Sequence, residues 1–245
     1  VLSSAQTSEA QSVLQAKAAE IGESFAIYGK DFEVFNIVKE KAGQRFSVHT
    51  LAGEYHDLFI PLHGEYQVEN AALAICAAEA FVGGGTQRIS EDVLRVALAD
   101  FSSPGRLQII SRDPLTILDA AHNPHGAKAI TETIQSEFTF DEVIGVFAAM
   151  ADKDVEGALV QFEKVMDSII VTKNSSHRSM AVGDVEVIAS KIFGADRVFA
   201  ADSLDGAIEK AIKDSVRPLS EDTIGILITG SVVTVGEART IVRKR

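Results

Sequence analysis

Leu118-Asp119-Ala120-Ala121-His122-Asn123-Pro124-His125 joins an apolar run over 116–120 to a helical pattern over 126–137. The run reads as a strand that delivers Asp119 at its carboxyl end. Small side chains at 120 and 121 let a ligand approach the backbone closely. Asn123-Pro124 puts a proline at the first helical turn, where its missing N–H costs nothing. A helix starting behind a strand offers free N–H groups and a positive dipole end, which suit phosphate. Asp119 then suits a ribose hydroxyl, and His122 a phosphate or a base. The same residues also fit a capped strand-to-helix turn whose polar groups meet water, and local chemistry weighs the two readings evenly.

Outward from this turn the alternation repeats. Apolar runs at 107–110, 143–148, 168–172, 197–200 and 224–229 alternate with helical patterns over 155–165, 185–193 and 204–213. Strands with few polar residues between amphipathic helices make an α/β domain, its largely parallel sheet covered on both faces. Such sheets bind ligands at the carboxyl ends of their strands. On the amino side, Phe101-Ser102-Ser103-Pro104-Gly105 breaks the pattern and sets a boundary near residue 100, giving domains 1–99 and 100–245. Residues 1–99 read as α+β. A helix over 7–20 is followed by β-type runs at 25–28, 34–38, 45–49 and 55–60. Helices over 69–81 and 90–99 come next, the first ending at Gly83-Gly84-Gly85.

Other polar groups fall at element ends. Pro104-Gly105 fixes a turn that leaves Arg106 at the mouth of a strand, where a guanidinium grips phosphate in a bidentate way or forms a surface ion pair. Gln67 and Asn70 share one face at a helix start, as caps or as contacts to a base or ribose. Asp152-Lys153-Asp154 follows the strand over 143–148. His177-Arg178 follows the strand over 168–172, and Ser231 ends the run Ile228-Thr229-Gly230. Of these three, the first suits a polar substrate or a solvated loop with Asp154 as N-cap, the second anion recognition, and the third offers a free hydroxyl after a glycine turn.

Composition narrows the function. With 23 Lys+Arg against 35 Asp+Glu, the net charge of −12 disfavours binding to nucleic acid. No apolar run approaches the roughly 20 residues of a membrane helix, so no membrane partner is expected. The single Cys76 forms no internal disulfide, in keeping with a reducing compartment. No zinc-ligand spacing, G-x-S-x-G elbow, G-x-G-x-x-G turn or Walker A loop is present, and no metal ligands or catalytic residues are singled out.

Taken in order, Gly64-x-x-Gln67-x-x-Asn70-Ala71, Pro104-Gly105-Arg106-Leu107, Asp119-x-Ala121-His122-Asn123-Pro124, Asp152-Lys153-Asp154 and Thr229-Gly230-Ser231-x-x-x-Val235-Gly236 resemble the folylpolyglutamate synthase/dihydrofolate synthase family, the folate branch of the Mur-type ligases. Tyr28-Gly29-Lys30-Asp31-Phe32 matches as well. The resemblance implies that 1–99 is the tail of a central ATP-binding domain and 100–245 a Rossmann-like C-terminal, glutamate-ligase domain. It implies an ATP-dependent ligase in which a folate or dihydropteroate carboxylate becomes an acyl phosphate and the amine of L-glutamate attacks it. ATP contacts are implied at Asn70, Arg106, Asp119 and His122, with Asp119 on the ribose and Arg106 on the phosphates. Asp152, Lys153, His177 and Ser231 are implied, more weakly, near glutamate. Mg²⁺, its ligands and the family's phosphate loop are expected upstream of Val1, and the protein is expected to be a cytoplasmic monomer. Three positions depart from the family pattern: Tyr66 stands for His, Ala120 for Gly and Ser103 for Trp. Two other readings remain: a cell-wall Mur ligase acting on a UDP-muramoyl substrate, and a stand-alone nucleotide-sensing or protein-binding α/β module. The folate reading predicts weak ATP binding and no ligase turnover by these 245 residues alone; glutamate-dependent ADP release by the chain would contradict it.

Overall fold

The computed structural model describes residues 1–216 and 223–244 and divides the chain into two compact units, Val1–Ser102 and Ser103–Arg245. In the first unit, β1 (Leu2–Ser3), α1 (Ser8–Glu20) and β2 (Ala26–Ile27) come first, with β1 and β2 paired in parallel. Thr7 caps α1 through its side chain. β3 (Glu33–Glu40), β4 (Gly43–His49) and β5 (Glu54–Ile60) form an antiparallel three-stranded sheet. Its register shifts twice, and Asn36 and Asp57, both with positive φ, lie at or beside the shifts, as bulges require.

Phe46, Val48, Tyr55 and Leu58 of that sheet bury against Val68, Ala72 and Ile75 of α2 (Glu65–Gly83) and Leu94 of α3 (Glu91–Ala99). Each fully buried side chain of this size contributes roughly 1.5–3 kcal/mol. Glu79, fully buried on α2, accepts hydrogen bonds from the Thr50 and Tyr55 hydroxyls and the Ala52 amide, tying the β4–β5 turn to the helix. α2 begins at Glu65, four residues before the expected 69, because Gly64 (φ 94°) makes the turn that ends the preceding loop. Gln67 therefore lies in the first helical turn and Asn70 in the second.

The second unit is the α/β sheet. Its elements are β6 (Gln108–Arg112), β7 (Leu115–Leu118), α4 (Pro124–Glu137), β8 (Glu142–Phe147), α5 (Val155–Phe162), β9 (Ser168–Val171), α6 (Val182–Phe193), β10 (Val198–Ala200), α7 (Leu204–Ser215), β11 (Ile224–Thr229) and α8 (Val232–Val242). The strand order is β10-β9-β8-β11-β7-β6, parallel except for β6 at the edge. Crossovers through α4, α5 and α6 step outward from β7 to β10. The connection through α7 then reverses and drops β11 between β7 and β8. α4 and α5 therefore pack together on one face, and α7 and α8 on the other. Ile224, Ile226 and Ile228 of β11 meet Leu204, Ala207, Ile208, Val235 and Ala238 on the α7–α8 face.

α8 has no counterpart in the sequence reading. Val232-Val233-Thr234-Val235 is a β-branched run with low helix propensity, and packing of Val235 and Ala238 on the sheet overrides it.

Gly225, the second residue of β11, leaves room for the Phe140 ring: an added Cβ would lie 2.6 Å from Cε1. Gly225→Ala should lower stability by about 1–3 kcal/mol in urea unfolding, and much less in a Phe140→Ala background. Equal costs in both backgrounds would contradict this packing.

Candidate functional site

The reversal at β11 determines where the polar residues collect. The chain leaves β7 toward α4 on one face and leaves β11 toward α8 on the other, so their loops part at the carboxyl ends, as at the switch point of open α/β sheets. The loops carrying Asp119 to Asn123, Ala148 to Asp154, Thr172 to Met180 and Thr229 to Ser231 all leave that edge.

Asp119 is 1% exposed. Its Oδ2 accepts the Leu107 amide at 2.9 Å and its Oδ1 the Ala121 amide at 2.7 Å. Burial pushes its carboxyl up to about 6, opposed by those two amide bonds and by the positive charge of Arg106 and the nearby His122. At neutral pH it is therefore mostly ionised. Arg106 is exposed, and its guanidinium makes no hydrogen bond or ion pair among the described residues. His122 is half-buried, with Nδ1 3.0 Å from the Ala120 carbonyl. A carbonyl only accepts, so Nδ1 carries the proton and Nε2 is left as an acceptor. Ala120 lies outside the positive-φ region, which explains how it stands where the resembled family has Gly.

The start of α4 corrects one expectation. Asn123 caps the helix, taking the Gly126 amide on Oδ1 at 2.8 Å, and its carbonyl takes the Ala127 amide. Pro124 has no N–H to offer. Of the first four positions only the His125 amide has no partner among the described residues, so this is not the open phosphate cradle that the sequence suggested.

Ser231 is also corrected. It is 3% exposed and caps α8 by accepting the Thr234 amide at 3.0 Å. Thr234 Oγ1 gives its one proton to the Ala148 carbonyl at 2.7 Å, so in the 2.8 Å Ser231–Thr234 pair the serine donates. Asn174 Nδ2 donates to both hydroxyls. The Ser231 hydroxyl has thus committed its proton and both lone pairs, and none remains for a substrate.

At the neighbouring edge, Asp152 bonds Arg178 at 2.7 Å and Lys153 at 3.5 Å. The Arg178 hydrogen bond holds the exposed Asp152 carboxyl below its ordinary range. Main-chain bonds from Ala151 to Arg178 and from Met180 to Ala149 fasten the two loops together. Arg178, not His177, is the residue that meets Asp152. His177 is exposed, with no hydrogen bond or ion pair among the described residues. Asp154 caps α5 through the Gly157 amide. Asn70 belongs to the first unit, exposed on α2, its amide likewise without a partner among the described residues. Among the described residues, no group of three or more His, Cys, Asp or Glu is placed to hold a metal ion, and no helix is long and apolar enough to cross a membrane.

Residues 105–232 match the family described as Mur ligase, glutamate ligase domain. The chain is 40% identical, over 245 aligned residues, to the dihydrofolate synthase/folylpolyglutamate synthase of Mycobacterium tuberculosis, covering 96% of this chain and 50% of that protein. The crystal structure of Mycobacterium tuberculosis folylpolyglutamate synthase complexed with ADP and AMPPCP superposes with a TM-score of 0.93 at 38% identity, over 98% of this chain and 55% of that one. The folylpolyglutamate synthase of Thermotoga maritima superposes with a TM-score of 0.76 at 26% identity, over 99% of this chain and 53% of that one. The chain thus spans about half the length of these relatives.

The raised Asp119 carboxyl has a consequence for stability. The folded state holds this proton more tightly than the unfolded chain, whose value is near 3.8. Its contribution is therefore fully present below about pH 4 and lost as pH rises through about 6, a change of about 3 kcal/mol. The stability of the wild-type chain relative to Asp119→Asn should fall by an amount of that order between pH 4 and pH 7 in denaturant unfolding. A pH-independent difference would contradict the burial described.

Proposed function

The chain belongs to the Mur ligases, in their folylpolyglutamate synthase/dihydrofolate synthase branch, and from that premise we propose that it contributes the nucleotide-facing glutamate-ligase domain of an ATP-dependent folate ligase. The ligase joins a folate or dihydropteroate carboxylate to the amine of L-glutamate. A carboxylate resists attack by an amine because its oxygen is a poor leaving group. Transfer of the γ-phosphoryl group of ATP to that oxygen makes an acyl phosphate. The glutamate nitrogen then adds to the carbonyl, phosphate departs, and the nitrogen loses a proton. Such transfers depend on positioning and on cations aimed at the phosphates.

In this reading Arg106 binds phosphate oxygens, and its lack of a partner among the described residues leaves the guanidinium available for them. Asp119 has two lone pairs on each oxygen, so it can take a ribose hydroxyl while keeping its two amide bonds. His122 is a further proposed nucleotide contact of the second unit, and Asn70 is proposed as a nucleotide contact for the first unit taken by itself. Lys153, His177 and Asp152, with Arg178 added, position glutamate; Ser231 is not among them, since its hydroxyl is committed. Mg²⁺ accompanies ATP in the proposed reaction. The described residues offer it no cluster of ligands, and no step here is assigned to it. The likeness along nearly the whole chain to a folate ligase solved with nucleotide carries this reading.

The experiment is a coupled ADP-release assay on the full-length protein that carries this chain, with dihydropteroate, tetrahydrofolate and a UDP-muramoyl acceptor offered separately. Glutamate-dependent release is expected with a folate acceptor and none with the muramoyl one. Arg106→Ala should lower kcat/KM for ATP by about 10²- to 10³-fold. Turnover of the muramoyl acceptor, or an unaffected Arg106→Ala enzyme, would contradict the proposal.

A further inference from the structure

Arg106 sits between two residues in unusual backbone conformations. Gly105 has φ 74°, and a Cβ there would lie 2.5 Å from Val235 Cγ1 on α8. Leu107 has φ 44°, a left-handed conformation that a branched side chain rarely adopts and that persists only when its surroundings over-determine it. The surroundings do so. Leu107 is 2% exposed, and its amide donates to Asp119 Oδ2. The Gly105 carbonyl accepts the Ala120 amide at 2.8 Å, and the Gly105 amide donates to Gln108 Oε1 at 3.1 Å. The Arg106 amide donates to the Ser103 carbonyl, and the Asp119 amide to Ile228 of β11. β6 pairs with β7 only from Gln108 onward, so beyond the end of the ladder the turn is joined to the end of β7 by the Ala120–Gly105 main-chain bond and by the Asp119 side chain.

We infer that Asp119 is a positioning residue for Arg106: by accepting the Leu107 amide on one oxygen and the Ala121 amide on the other, its carboxylate pins the Arg106 turn to the end of β7 and sets where the guanidinium meets phosphate. The phosphate half of this statement rests on the nucleotide reading above; the clamp itself does not. The clamp is tightest with the ionised acid, because protonation turns one carboxylate oxygen into a hydroxyl, a much weaker acceptor for its amide. The charged or titratable groups bearing on that carboxyl are Arg106 ahead of it and His122 behind it. β11 brings Ile228 and Thr229 to this end and α8 brings Val235, none of which titrates. Since burial pushes the carboxyl up to about 6, the clamp loosens just below neutral pH.

The test is NMR on the 245-residue chain, in two arms. In the first, the Leu107 and Ala121 amide protons of the wild-type chain are followed from pH 8 to pH 4.5. Both should shift with one common midpoint near 6, as two donors to one carboxylate must. In the second arm ATP and inorganic tripolyphosphate, which has neither ribose nor base, are titrated into the wild-type chain, Arg106→Ala, Asp119→Asn and the double variant at pH 7.5. Arg106→Ala should weaken both ligands. Asp119→Asn should weaken tripolyphosphate by a factor on the order of ten and ATP by at least as much, and for tripolyphosphate the double variant should bind no worse than Arg106→Ala alone. If Asp119→Asn weakens ATP but leaves tripolyphosphate unchanged, the residue serves the sugar only and the inference falls while the nucleotide reading stands. If Arg106→Ala leaves both ligands unchanged, or the wild-type chain binds neither, the nucleotide reading falls and the first arm decides the clamp. Separate midpoints for the two amides overturn it, whether or not Asp119→Asn folds.

Discussion

The insertion of β11 between β7 and β8 is the constraint on which the rest of the second unit depends. One reversed crossover sends adjacent strand ends to opposite faces, and the loops must part there. Parting loops leave backbone amides without ladder partners. The sequence supplies those partners from side chains. Asp119 takes two amides, Asn123 and Asp154 cap the helices that follow β7 and β8, and Ser231 and Thr234 close the start of α8. The polar residues that make this edge look like a binding site thus divide into those that complete the fold and those left over. Arg106, His177 and the Nε2 of His122 are left over.

That division explains what the sequence disclosed. The strand running into Asp119, the proline at the first turn of α4 and the alternative of Asp154 as a cap follow from local rules, although β7 ends at Leu118, two residues short of the expected 120. The hydrophobic alternation also disclosed the parallel sheet, because both faces of its central strands are apolar. The shared use of a side chain over distance was not legible. Asp119 to Leu107, Ser231 to Asn174 and Arg178 to Asp152 each join segments that only the folded topology brings together. Residue type identified Ser231 as a free hydroxyl, and only the count of its donors and acceptors shows that none is free. α8 was hidden for a different reason, since its β-branched opening favours a strand until the sheet beneath it is in place.

Burying an ionised carboxylate is unfavourable for folding, and burial is what raises the Asp119 carboxyl. A neutral amide would be less costly, but it would offer one acceptor oxygen to the Leu107 and Ala121 amides where the carboxylate offers two. The left-handed Leu107 is a second unfavourable element in the same few residues. Two such costs around one exposed guanidinium are what a turn built to aim Arg106 requires, and a turn that merely reversed the chain would need neither.

The most direct measurement is the crystal structure of the full-length protein that carries this chain, grown with ADP. The account predicts phosphate oxygens within about 3 Å of the Arg106 guanidinium, with Leu107 still left-handed and its amide still on the Asp119 carboxylate. Nucleotide density elsewhere, with Arg106 pointing into solvent and the Leu107 amide turned away from Asp119, would contradict it.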